Sequence, residues 1–261
     1  MPWTFAHPAA VIPLRRYCPH PLNFPALVIG SMTPDLGYHA QAMHLAAYAH
    51  SLAGSLLVCL PTGLLLLALL CLLRKPLWFL LPRPHRDAFA PAAAADPALS
   101  PGAVLWAAAS ILLGAWTHIV WDAATHNNGW FVVRSSFLQG AAFQVGGIDF
   151  HVYHVLQHLS TCVGVAVMVA AYWHWLKGAT PAVGQAQPEE RWRYRLLAVF
   201  AIAAILVGGA LAAMAAGRHE GFLAFRVFAV RGAVDGMSVF IAFYVVGAVL
   251  CYRARPVGFK Q

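Results

Sequence analysis

The chain has 261 residues, of which 61% are hydrophobic and 10% charged, and its mean hydropathy is +0.66. Soluble domains carry about 25% charged residues, so the composition excludes an ordinary water-soluble enzyme. A formal net charge of +8 would suit a nucleic-acid partner. In a membrane protein it reflects basic loops facing the cytoplasm instead, and no nucleic-acid or protein partner is expected.

In chain order, the opening "MPWTFAHPAA" lacks a basic region followed by an apolar one, so no cleavable signal sequence is expected. The stretch "NFPALVIGSMTPD" from Asn23 is apolar but too short to span; it predicts a helix packed against a bundle or lying at the interface. Apolar runs of bilayer-spanning length follow near 52–73, 103–121, 152–176, 196–216 and 230–251, giving about five spans. The segments "PRPHRDAFAPAAAADPALSP" and "GATPAVGQAQPEE" between them are rich in Pro, Ala, Gly and Gln and read as linkers. Cys18, Cys59, Cys71, Cys162 and Cys251 show no CxxC spacing and read as small buried hydrophobes.

The basic residues orient the spans. Placing the 74–102 loop, the 177–195 loop and the C-terminal tail on one side puts 11 of the 17 basic residues there, including Arg83 and Arg191. That side is then cytoplasmic. The expected organisation is a single integral membrane domain over 1–261, with a helical core to about 176, a cytoplasmic linker over 177–195 and a two-helix segment over 196–261. The expected location is a bacterial inner membrane, crossed several times.

The polar residues fall on this map unevenly. In "WTHIVWDAATHNNGW" the residues His118, Asp122 and His126 are four apart, which places them on one helical face as the second span runs out. His151, His154 and His158 predict a second stripe at the start of the third span, with His151 outermost and solvated. Asp35 and His50 precede the first span. All these lie on the extracytoplasmic side, whereas independent histidines would scatter to both, as His85 and His174 do. Together with His20, His39, His44 and His219, those two read as hydrogen-bonded boundary residues. Asp35 alone would pass for a turn residue after Pro34.

Ionisable groups at membrane depth pair, ligate or line a wet cavity. Imidazoles and carboxylates at these spacings suit zinc, and seven ligands exceed the four that one zinc takes, so two or more ions are implied. Two other classes stay open. A cation transporter would place such ligands near the bilayer midplane, and a haem bundle would need facing histidines there; these cluster at one edge. A metal-stabilised protein without turnover is a further alternative.

The stretches "PWTFAHPAAVIPL", "ALVIGSMTPDLGY", "AHSLAGSLL", "WTHIVWDAATH" and "VYHVLQHLSTCVG" resemble a family of bacterial membrane proteins catalogued as domain of unknown function 4184, over most of the chain. That family is distantly similar to membrane-bound metal-dependent hydrolases, and through them to zinc-dependent phospholipase C and the single-strand nucleases. The resemblance implies an all-α polytopic bundle with a phospholipase C-like helical core. It adds His7 to the ligands and implies one zinc on Asp35, His50, His118 and Asp122. A second would lie on His126, His154 and His158, and a third between Asp122 and His7. Two features depart from the pattern: Trp3 sits behind Met1 and Pro2 where the soluble enzymes use a terminal Trp, and His158 stands where they carry a carboxylate. The chemistry this supports is metal-assisted hydrolysis of a phosphoester, with Asp35 or Asp122 orienting the attacking water. The position of the ligands at the extracytoplasmic edge favours a lipid or lipid-linked substrate, with Arg226 and Arg231 on the same side available to a phosphate.

Overall fold

The computed structural model describes residues 3–18, 21–95, 100–179 and 190–254. Its helices are α1 (Phe24–Gly30), α2 (Leu36–His39), α3 (Met43–Ala49), α4 (Leu52–Leu80), α5 (His85–Ala94), α6 (Pro101–Thr125), α7 (Ser136–Gln139), α8 (Val152–Ala179), α9 (Arg191–Ala216) and α10 (Gly221–Ala254). A 3₁₀ segment, Thr4–Tyr17, precedes them. Among the described residues the fold is all-α apart from one hairpin, β1 (Ala141–Val145) with β2 (Ile148–His151). Among the described residues five helices, α4, α6, α8, α9 and α10, are long and apolar enough to cross a membrane. At about 1.5 Å per residue even the shortest exceeds the roughly 30 Å hydrocarbon core.

Local chemistry sets where these helices begin. Ser100 caps α6 by accepting from the Ala103 N–H at 3.2 Å, with Pro101 in the first turn where no donor is needed. Asn23 does the same for α1, accepting from the Ala26 N–H at 3.0 Å. Ser51 opens α4 through the Gly54 N–H at 2.9 Å, and a π turn over Ser55–Cys59 follows at once.

Three expectations change. The segment 82–101 is not a plain linker, because it holds α5. Alanine-rich sequence favours helix, and Phe89 stacks on Trp78 with ring centroids 4.4 Å apart. The last span starts earlier than 230, since the helix runs unbroken from Gly221. His151 does not share a helical stripe with His154 and His158. It ends β2, because Gly146 and Gly147 take φ of 57° and 77°, as a tight hairpin turn requires, and α8 begins only at Val152. Most of the 177–195 linker lies outside the described residues.

The chain divides into two compact units, Met1–Leu69 with Ala98–Trp173, and Leu70–Pro97 with His174–Gln261. In the first, α1 packs on α6 through two glycines. A Cβ on Gly114 would lie 2.3 Å from the Leu27 carbonyl oxygen, and one on Gly30 would lie 2.1 Å from that of Ile111. Only hydrogen at both positions permits this approach. Ala26, Ala107 and Ile111 are buried beside them, with Leu60, Leu64 and Leu67 packed against the cluster. In the second unit, Leu80, Phe200 and Ala248 form the core, and the Tyr244 hydroxyl donates to the Leu77 carbonyl at 2.6 Å. Asp235 of α10 is buried there and paired with Arg231 at 3.0 Å.

Candidate metal centre

Four candidate ligands of two types converge in the first unit. Asp35, His50, His118 and Asp122 each offer one ligand atom, and these atoms all lie within 4.8 Å of one another. Among the described residues no other group of three or more His, Cys, Asp or Glu meets that criterion.

Each residue arrives by a different route. The four-residue spacing on α6 brings His118 and Asp122 to one face, with His118 Nε2 3.3 Å from Asp122 Oδ2. The glycine contact between α1 and α6 carries the chain after α1 across that face, so that Asp35, at the end of the 3₁₀ turn Thr33–Asp35, faces His118. His50 follows α3, just before α4 is capped. The Trp3 N–H donates to Thr161 Oγ1 of α8 at 3.2 Å, which anchors the segment carrying His7.

The two central imidazoles are oriented from behind. His118 Nδ1–H donates to the Ser31 carbonyl at 2.7 Å, and His50 Nδ1–H donates to the Ala46 carbonyl at 2.8 Å. These bonds leave both Nε2 atoms unprotonated in the neutral rings, facing inward 3.3 Å apart. Two lone pairs at that distance repel unless a cation or proton lies between them. The Asp35 and Asp122 oxygens stand 3.3–3.5 Å from the same Nε2 atoms. The set is two neutral nitrogens and two carboxylate oxygens, which fits a divalent ion such as zinc in both charge and donor type.

The carboxylates are held as well. Thr4 Oγ1–H donates to Asp35 Oδ2 at 2.8 Å, while Asp35 Oδ1 is buried with no hydrogen-bond donor. Asp122 Oδ1 is also without one. His7 Nε2 lies 3.6 Å from it and His126 Nδ1 lies 3.5 Å from it. These separations are too long for hydrogen bonds and short enough for groups sharing an ion. His7 stacks on His118 with centroids 3.6 Å apart, and both its ring nitrogens are buried without a partner. Buried polar atoms are almost always satisfied, so four such orphans in one place point to something that binds there.

The titration of the flanking groups follows from this packing. Burial, reinforced by the neighbouring His118, pushes His7 down to about 3, so its ring is neutral. Burial also lowers His126. Burial would pull His50 down too, but the Asp122 and Asp35 carboxylates beside its Nε2, at 3.3 and 3.5 Å, win and raise it to about 9. Burial would raise Asp35, yet His118 and His50 hold its carboxyl well below the usual range. Without a metal, protons on the imidazoles take over the neutralisation of two buried carboxylates.

The structure therefore brings together His7, Asp35, His50, His118, Asp122 and His126. His154 and His158 are not part of the four-residue group. His154 Nδ1 accepts from the His151 backbone N–H at 3.2 Å at the start of α8, and His158 lies one turn further along with an exposed side chain. His151 Nδ1–H donates to the Gln139 carbonyl at 2.8 Å. No residue pattern signals the roles of the Ser31 and Ala46 backbone carbonyls. Thr4, three residues before His7, was visible but unremarkable.

An all-α membrane protein with a buried Asp-His-His-Asp cluster at the end of a span is the class these features define. The chain belongs to the family described as Domain of unknown function (DUF4184), which it matches over residues 1–251. No curated protein and no solved structure matches it significantly.

Proposed function

We propose that the protein is a multi-pass hydrolase of a bacterial inner membrane that uses a divalent metal, zinc by its donor chemistry, to cleave a phosphoester of a lipid or lipid-linked phosphate. The observation that carries this is the pair of inward Nε2 atoms of His50 and His118, 3.3 Å apart and each fixed by a backbone carbonyl, between two buried carboxylates. Ligating histidines characteristically donate their other ring N–H to such a group.

The ligands would be Asp35, His50, His118 and Asp122. A bound zinc supplies an acidified water and a Lewis-acid clamp on phosphoryl oxygens. Asp35, fixed by Thr4, serves as a rigid ligand. Asp122 has its Oδ1 left over, flanked by His7 and His126, and is the better placed to accept a proton from water or to share a second ion with those two histidines. A turnover site needs an open side, whereas structural zinc sites are closed. The side chains of His50 and His126 are 20% and 21% exposed, against 7% or less for Asp35, His118 and Asp122, so the opening lies along the His50–His126 edge.

Location at the end of a span favours an amphiphilic substrate, and the basic-residue count supports an extracytoplasmic position for this end. The test is hydrolysis of a generic phosphodiester and of a phospholipid in mixed micelles by zinc-loaded protein. Activity abolished by chelator, restored by zinc and absent from His118→Ala supports the proposal. Fully loaded protein that cleaves neither substrate contradicts it.

A further inference from the structure

The segment that joins α6 to α8 begins at His126, beside the metal centre, and has an unusual surface. From Asn127 to Phe150 its only formally charged side chains are Arg134 and Asp149, although water-exposed sequence is commonly about a quarter charged. Its large apolar side chains are not packed away. Phe137 is 72% exposed and Trp130 is 57% exposed, and Phe131, Val133, Phe143 and Val145 are exposed with them.

The hairpin within it is two-faced. Register pairs Phe143 with Phe150 and Val145 with Ile148 on one side, and Gln144 with Asp149 on the other. The two phenyl rings stack with centroids 5.0 Å apart, and Gln144 donates to Asp149 at 3.0 Å. A lone two-stranded hairpin is marginal in water, and every residue of β1 is exposed. Arg134 lays its guanidinium 4.4 Å from the centroid of the Trp130 ring and donates to the Trp130 carbonyl at 3.1 Å. Aromatic rings beside a cation with an apolar stem are the usual furniture of a membrane–water boundary.

We infer that the segment Asn127–His151 is seated in the headgroup–acyl boundary of the bilayer leaflet next to the metal centre, with Trp130, Phe131, Phe137 and Phe143 as its anchors. Both ends of the segment continue into spans, α6 at Thr125 and α8 at Val152, so it is held at the membrane surface. The two helices it joins also carry exposed apolar side chains, Trp116 and Val120 on α6 and Val155 and Leu159 on α8. The bilayer is therefore the occupant, and the polar edge of Gln144 and Asp149 faces water. This holds whether or not the metal centre turns over a substrate.

The test uses the full chain in phosphatidylcholine–phosphatidylglycerol nanodiscs, with the five cysteines replaced by alanine and single cysteines placed at Phe137, Phe143 and Gln144. Each carries an environment-sensitive fluorophore. The labels at 137 and 143 should emit to the blue and be quenched several-fold more by a lipid nitroxide high on the acyl chain than by aqueous iodide, and the label at 144 should do the reverse. Iodide reaching all three equally would overturn the inference. So would protection of 137 and 143 from both quenchers, which would mean a second copy or another protein covers them. Wild-type protein gives an independent check: a diazirine near the lipid headgroup should crosslink within residues 130–145, and crosslinks confined to α6 and α8 would also overturn it.

Discussion

His50 Nε2 and His118 Nε2 point at each other across 3.3 Å, and each ring is locked by its Nδ1–H on a backbone carbonyl. The rings cannot turn away without breaking those bonds, so the folded chain holds two lone pairs and two carboxylates in a pocket that needs positive charge.

Removing a ligand should empty the centre. His118→Ala and Asp122→Ala each take one donor of four. Each should weaken metal binding by more than the roughly 10–100-fold typical of losing an outer partner. His151→Ala should be nearly silent, because the His151 side chain donates to the Gln139 carbonyl at the end of the hairpin and lies outside the four-residue group. Zinc titration of the three variants checks this; equal loss in His151→Ala would move the ligand set towards α8.

Thr4 offers the outer-partner case. Its hydroxyl donates to Asp35 Oδ2 at 2.8 Å. Thr4→Val should lower zinc affinity about 10–100-fold with the stoichiometry intact, and Thr4→Ser should restore it. Competition with a chelating dye measures both.

The α1–α6 contact should govern the centre from a distance. A methyl at Gly114 meets the Leu27 carbonyl at 2.3 Å, and the helices must part. The Ser31 carbonyl would then leave His118. Gly114→Ala is expected to destabilise the protein by about 1–3 kcal/mol, as overpacking does, and to lose metal. Gly102→Ala, with open space around its Cβ, should change neither. Thermal unfolding with and without chelator separates the two effects.

Protons and metal should compete for His50. In the metal-free protein its pKa rises from 6.5 to about 9, so its contribution to stability is complete below 6.5 and disappears as pH climbs through 9. Metal binding must expel that proton. The stabilisation given by zinc should therefore grow between pH 6.5 and 9 while the chelated protein loses stability. Melting curves across that range, with calorimetry in buffers of different ionisation enthalpy, would show it.

Much of the fold was legible because the bilayer forces long uninterrupted apolar runs, and these appear in sequence without any tertiary knowledge. The α5 helix was obscured because Pro84 and Pro91 gave an alanine-rich helix the look of a linker. His118 and Asp122 announced themselves by spacing within one helix. The meeting of Asp35 and His50 with them depends on two glycines far apart in sequence, Gly30 and Gly114, which carry no pattern of their own. The stripe expected of His151 with His154 and His158 fails for a local reason: the periodicity on paper continues through His151, whereas the Gly146–Gly147 turn makes that residue the end of a strand.

The central claim is that this chain binds a divalent metal, and the most direct measurement is elemental analysis of protein purified without chelator and re-equilibrated with zinc. Because the four-residue group centres on His118 and Asp122, wild-type protein is predicted to retain about one to two equivalents of zinc per chain, and His118→Ala to retain clearly less. Wild-type protein with no metal above background, or the same content in both proteins, would contradict the account.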